Sequence, residues 1–194
     1  MLDIWERHMA AEFATKSIEA TMATMTSQPF VNHVPVMTGG VGNSEVRQFY
    51  VAHFIGAHAP DTTIVPIART VGTDRIVDEI IFKFTHTIDM PWILPGVPPT
   101  GKRVEVAIVV VVQFEGGKIA GERIYWDQAS VLAQVGLIDA ATLPATGIEA
   151  SRKVLDPAKE PSNGLIERAS RLEFRQCGLR RGRGRHGPAH SRRG

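Results

Sequence analysis

The sequence predicts one α+β domain, and three observations predict it. Apolar residues recur at helical steps over residues 3–26, at Ile4, Met9, Phe13, Ile18, Met22 and Met25. After Pro60-Asp61 the pattern changes to extended runs separated by turn residues, so helices come first and strands follow. The chain has 194 residues, 43% of them hydrophobic, which suits a single domain with a sizeable core.

Thr15–Ser17 divides the first segment into two helices, and Gln28-Pro29 ends it, because a residue before proline is pushed out of the α region. Phe30–Val34 reads as a short strand, limited by Pro35. Thr38–Gly42, with three glycines, reads as a flexible loop. Asn43 or Ser44 caps a helix running to about Phe54, with Glu45 in its first turn and Phe49, Tyr50 and Phe54 as its buried stripe. Four strands follow: Thr62–Val71, Arg75–Ile88, Lys102–Glu115 and Lys118–Asp127. Gly72-Thr73-Asp74 turns between the first two, and Gly116-Gly117 makes a two-residue hairpin turn between the last two. Residues 89–102 hold four prolines and read as a long functional loop. Ser130–Val135 reads as a helical turn ending at Gly136.

The third strand is apolar on both faces through Val106–Val112, where a surface strand would alternate. Its second face needs a cover that the remaining chain hardly supplies, so a homodimer burying sheet against sheet is expected.

Charge and cysteine content narrow the function classes. Residues 175–194 carry seven Arg and no Asp or Glu, and removing them takes the net charge from +2 to −5. The body is therefore mildly acidic, and nucleic-acid binding is expected, if at all, from the basic tail alone. That tail is expected to be disordered, and its abrupt composition also fits a non-native extension. The single cysteine, Cys177, rules out an intrachain disulfide or a Cys-based zinc site. No secretory leader pattern is seen at the N-terminus, and the longest apolar run, Ala107–Val112, is far too short to span a bilayer. A cytoplasmic protein with no membrane partner is expected.

Several motifs in order carry a family resemblance: Asn32-His33-Val34-Pro35, Thr85-His86-Thr87, Pro98–Val104, Gly117-Lys118-Ile119, Trp126-Asp127-Gln128 and Leu132–Gly136. They resemble the SnoaL-like polyketide cyclase branch of the nuclear transport factor 2-like superfamily. The resemblance implies a cone-shaped α+β barrel, a curved, mostly antiparallel sheet wrapped by N-terminal helices around a pocket. It implies a domain over residues 1–140, with 141–174 as a C-terminal arm and 175–194 as the tail. It also implies a cofactor-free aldol closure in which an Asp, matched by Asp127, moves a proton on an acidic carbon. The strand facing that Asp departs from the family pattern: Ala107, Val109 and Val111 stand where polar groups are usual, and only Gln113 is polar.

Asp127 follows Tyr125 and Trp126 at a strand end, and apolar surroundings would raise its pKa toward that of a useful base. Its plainer role is to cap the turn at Ser130. His86, before the proline loop, and His33 are the other catalytic candidates, as neutral imidazoles able to orient or polarise a carbonyl. Asn32 and His33 alternate, so only one can face a pocket. Glu79, with apolar Val77 and Ile81 two residues away, is a candidate buried carboxylate, or else pairs with Arg75 or Arg123. Gln113, Tyr125, Trp126, Trp92 and His53 complete the expected substrate-binding set. Among His33, His53, His58 and His86 no pair has H-x-x-x-H spacing, so no metal is expected, and no nucleotide or serine-hydrolase motif occurs. The expected function is a cofactor-independent enzyme acting on a small apolar carbonyl compound. The alternatives are a non-catalytic binding module for a hydrophobic ligand and a lactone or epoxide hydrolase of the same fold.

Overall fold

The computed structural model describes residues 1–171. The chain divides into a unit Met1–Glu160 and a second from Pro161 onward, whose described part carries a helix over residues 164–171. The basic tail and Cys177 lie outside the described residues.

Helix α1 (Leu2–Met9) runs on through a π-helical turn at Ala10–Ala14, closed by Thr15 N–H donating to the Ala10 carbonyl at 2.9 Å. The chain breaks at Thr15–Ser17 as expected, with Lys16 at φ 51. Helix α2 (Ile18–Thr24) then starts, its cap residue Ser17 accepting from the Ala20 N–H.

Strand β1 (Met25–His33) follows at once and starts five residues earlier than the sequence suggests. Pro29 falls where the pairing with the last strand is irregular, between Met25 and Phe30, so its missing N–H costs no regular ladder bond. The expected glycine loop is an edge strand, β2 (Thr38–Val41), with Gly39 and Gly40 paired to Asn32 and Val31. The glycines serve close approach rather than flexibility: Gly39 has φ 138, and a Cβ there would stand 1.9 Å from the Val31 carbonyl oxygen.

Helix α3 (Gly42–Phe49) is fixed by Val41 N–H donating to the Glu45 carboxylate at 2.9 Å, and it too runs on through a π-helical turn, Tyr50–Phe54. Val46, Phe49, Tyr50 and Phe54 are buried, as the stripe predicts.

The remaining strands are β3 (Thr63–Val71), β4 (Arg75–Thr85), β5 (Arg103–Glu115) and β6 (Lys118–Trp126). The sheet order is β2-β1-β6-β5-β4-β3, antiparallel except where β1 runs parallel to β6. The curved sheet does not close on itself, because β2 and β3 remain free edges, so the expected barrel is an open one. Its inner face carries Ile76, Ile80, Phe82 and Phe84 from β4 and Val104–Phe114, at every second residue, from β5.

Strand β5 is buried on that inner face and half-buried on the outer one, at Ala107, Val109 and Val111. Part of the outer cover comes from the chain itself. Helices α4 (Gln128–Gln134) and α5 (Glu149–Leu155) pack on β5, and Gln134 bonds both backbone groups of Glu105 at 2.9 and 3.0 Å. Among the described residues no helix is long and apolar enough to cross a membrane.

Gly39→Ala should destabilise the domain by about 2 kcal/mol or more, since the new methyl meets backbone that cannot rotate away. Urea denaturation compares it with wild type, and a loss under about 0.5 kcal/mol, the range of neutral surface changes, would show that β2 lies elsewhere.

Candidate active site

Between the helices and the concave sheet lies a narrow cavity of about 60 Å³ that opens to solvent. Its walls are apolar, chiefly Phe13, Phe54, Ile80, Phe82, Trp92 and Ile108. Into them project a few polar groups: Glu12, Tyr50, Glu122, His33 and Asp78. A small set of polar groups in an apolar cleft is the usual build of a ligand site.

The deepest group is an ion cluster. His8 and Glu12 sit at i and i+4 on α1 and its π-helical turn, so both face the sheet. Glu122 points inward from β6, opposite Val112 and beside Val31. The His8 Nε2 lies 3.0 Å from a carboxylate oxygen of Glu12 and 3.0 Å from one of Glu122. On the far side, His8 Nδ1 is 2.6 Å from Thr24 Oγ1, whose own hydroxyl donates to the Thr21 carbonyl at 2.5 Å. That spent hydroxyl hydrogen makes Thr24 the acceptor, so Nδ1 carries a proton and Nε2 faces the two acids. Tyr50 closes the group, its hydroxyl 3.4 Å from His8 Nε2.

Burial works against charge on His8, but Glu12 and Glu122 overcome it and hold the imidazole at about 10, so it is an imidazolium at neutral pH. Burial likewise pushes Glu12 above the usual carboxylate range, against the pull of His8, and keeps the Tyr50 phenol protonated. Nearer the mouth, Asp78 accepts from Trp5 Nε1 at 2.8 Å and from Arg69 at 2.6 and 2.7 Å, while Arg69 also pairs with Glu6.

Of the residues expected from sequence, His33 and Trp92 line this cavity. His33 is walled by Phe49, Phe54, Trp92 and Trp126, and burial pushes it down to about 4, so it is neutral. Its Nδ1 is 3.3 Å from the Thr38 carbonyl, which can only accept. Nε2 is thereby left as an acceptor, suited to an enol or hydroxyl but not to polarising a carbonyl.

Asp127 takes the plainer of its two roles. It is exposed, it is the cap of α4, and its carboxylate accepts from the Ser130 N–H at 3.1 Å. It does not line the cavity, because β6 ends one residue earlier and the chain turns outward there. Trp126 faces inward but lies behind His33, its Nε1 spent on Gln128 at 2.6 Å. Tyr125, one residue before, is 43% exposed on the outer side.

Strand alternation places the others outside as well. Glu79 and Gln113 are half-buried on the outer face, and it is Asp78 that shares the inner face with Ile76 and Ile80. Asn32 is exposed in a surface groove beside Arg123, and His53 is exposed on α3's extension. His86 is fully buried beyond the end of β4, its Nδ1 3.2 Å from Thr100 Oγ1 in the proline loop. It braces that loop rather than reaching the cavity.

His8, Glu12, Tyr50, Asp78 and Glu122 escaped the sequence reading. Two signals mark them: His8 and Glu12 extend a Trp5–His8–Glu12 stripe at helical spacing, and Asp78 interrupts the apolar series Ile76, Ile80, Phe82, Phe84.

The family model for SnoaL-like polyketide cyclases matches residues 6–135. The chain belongs to this SnoaL-like family. Solved structures agree on the fold. A protein assigned as a SnoaL-like polyketide cyclase from a Jannaschia species is 19% identical, with 71% of this chain and 94% of that chain covered and a TM-score of 0.56. TsrD from Streptomyces laurentii is 16% identical, with 71% and 95% covered and a TM-score of 0.56. A protein of ketosteroid isomerase-like fold from Catenulispora acidiphila, solved with trimethylamine, is 16% identical, with 70% and 94% covered and a TM-score of 0.53. No match was found among curated protein sequences.

The SnoaL-like domain should show a stability optimum near pH 6.5–7. His8 has a folded pKa raised from 6.5 to about 10, so its contribution is complete below pH 6.5 and lost as pH rises toward 10. His33 and His58 are lowered from 6.5 to about 4, so theirs is complete above pH 6.5 and lost as pH falls toward 4. Urea denaturation from pH 4 to 10 measures both limbs. The alkaline limb should fall by on the order of 1 kcal/mol per pH unit and flatten in His8→Gln; an unchanged limb in that variant would refute the imidazolium.

Proposed function

We propose that this SnoaL-like protein is a cofactor-independent acid/base enzyme acting on a small apolar carbonyl compound, with Glu122 and Glu12 in place of the acid expected at Asp127. The observation that carries this reading is a pair of buried carboxylates lining one apolar cavity and joined by one imidazolium. Glu122 Oε1 faces His8 Nε2 at 3.0 Å, and the carboxylate has lone pairs beyond that contact for taking a proton from an acidic carbon. The electron pair of that C–H bond moves into the carbonyl, giving an enolate. Glu12, whose burial favours its protonated form, donates to the enolate oxygen. Closure or isomerisation then follows from the substrate's own geometry; Glu122 gives the proton it took to the product and Glu12 takes back the one it lent, which restores both groups. His8 touches neither cavity nor substrate. It positions both acids and balances the negative charge as it passes between them.

Deuterium incorporation into a panel of aryl methyl ketones, followed by NMR in D₂O, tests the proposal. Wild type should exceed buffer, and Glu122→Gln should lower the rate by about 100-fold or more, with Glu12→Gln also impaired. Asp127→Asn should leave exchange unchanged, because Asn caps a helix as well as Asp. A wild-type rate equal to buffer would favour the non-catalytic binding module.

The homodimer is also proposed. Half-buried Val77, Val109 and Val111, with exposed Tyr125, share the outer face of β4–β6 and form its contact. Sedimentation should show a dimer that Val111→Lys dissociates; a monomeric wild type at 100 μM, about a hundred times a micromolar Kd, would dismiss it.

A further inference from the structure

A second hollow adjoins the cavity at its mouth. It is lined by Phe13, Lys16, His58, Ala59, Pro60, Thr62 and Ile64, and Phe13 and Ile64 belong to both spaces. The first space is almost wholly apolar. The second is mixed, and its Thr62 hydroxyl and Lys16 ammonium are unspent.

His58 is 6% exposed; one ring nitrogen turns toward the Ile55 carbonyl and the other has no hydrogen-bond partner in good geometry. The Thr62 hydroxyl is buried and has none either. Native proteins satisfy the great majority of such groups, because each one left bare forfeits the hydration it had in the unfolded chain. The bare Thr62 hydroxyl lines the hollow, and a ligand that satisfies it is the simplest explanation.

The chemistry of that ligand follows from the donors. His58 is held among Phe13, Phe54 and Trp92, at centroid distances of 4.9, 4.7 and 5.5 Å. As a neutral imidazole it has one N–H, which faces the Ile55 carbonyl, so it walls the hollow rather than donating into it. Thr62 offers one O–H. Lys16 offers an ammonium and has no ion-pair partner among the described residues. The break between α1 and α2, where Lys16 takes a left-handed backbone, holds it at the rim. One O–H and one cation suit the lone pairs of a carboxylate.

We infer that this mouth hollow is a carboxylate-binding subsite, so that the substrate class is an apolar carbonyl compound bearing a carboxylate at the end away from Glu12 and Glu122. The inference rests on the cavity being the substrate site. Phe13 separates the two regions, and it follows Glu12 directly on the π-helical turn. One local distortion thus sets both the proton-transfer acid and the wall between the reacting end and the anchoring end.

The test uses the full chain and a matched probe pair, 2-naphthylacetate and its methyl ester, with affinities from quenching of tryptophan fluorescence. Wild type should bind the acid at least 10-fold more tightly than the ester. Thr62→Val and Lys16→Met should each bring that ratio toward one while leaving ester affinity within twofold. Thr62→Val preserves shape, so a folding defect does not mimic the result. Equal affinities in wild type, an unchanged ratio in both variants, or no binding of either probe at 1 mM would each overturn the subsite. Glu122→Gln separates this from the acid/base proposal. It should keep the acid-to-ester ratio, and an intact ratio in a wild type that exchanges no protons would leave the subsite standing while the catalytic reading fails.

Discussion

The structure turns on one imidazolium held between two buried carboxylates. Two acids in an apolar interior repel one another and lack water, so each alone would be strongly unfavourable. His8 offsets both from a single nitrogen, while Thr24 and the Thr21 carbonyl fix its other nitrogen. The cluster ties α1, α2 and β6 together, and the Glu6–Arg69 pair links α1 to β3. An apolar seam there would pack the same elements, but it would place no proton acceptor in the cavity.

The π-helical turn at Ala10–Ala14 is the local device behind that arrangement. Such turns are short and occur preferentially at functional sites, because they shift the face a helix presents. Here one turn carries Glu12 to the cluster and Phe13 to the cavity wall. The second, at Tyr50–Phe54, does the same for the phenol and the ring that meets His33 and His58. Both lie on the helices, so the sheet stays regular enough to hold Glu122 and Asp78 in strict alternation with apolar neighbours.

Much of the architecture was legible in the chain. The break at Thr15–Ser17, the long proline loop, the Gly116-Gly117 turn and all four later strands follow from periodicity and turn chemistry, which are local properties. The site was less legible. Asp127 drew attention through its aromatic neighbours, but burial depends on where β6 ends, and the strand ends one residue too early for it. Glu79 drew attention over Asp78 because both have apolar residues two positions away. Only the pairing of β4 with β5 decides which of the two faces inward. His33 lines the cavity and Asn32 faces away from it, and their alternation leaves only those two choices.

By itself the sequence determined the class, the order of most elements and the family, since these depend on patterns a few residues long that repeat in a fixed order. The tertiary structure alone decided which acids are buried. His8 and Glu122 are 114 positions apart, and no local pattern shows that they meet. Their meeting depends on β1 running parallel to β6 and on α1 crossing the concave face. Proton affinity is set by what surrounds a group in space, and that becomes defined only when distant segments close around it.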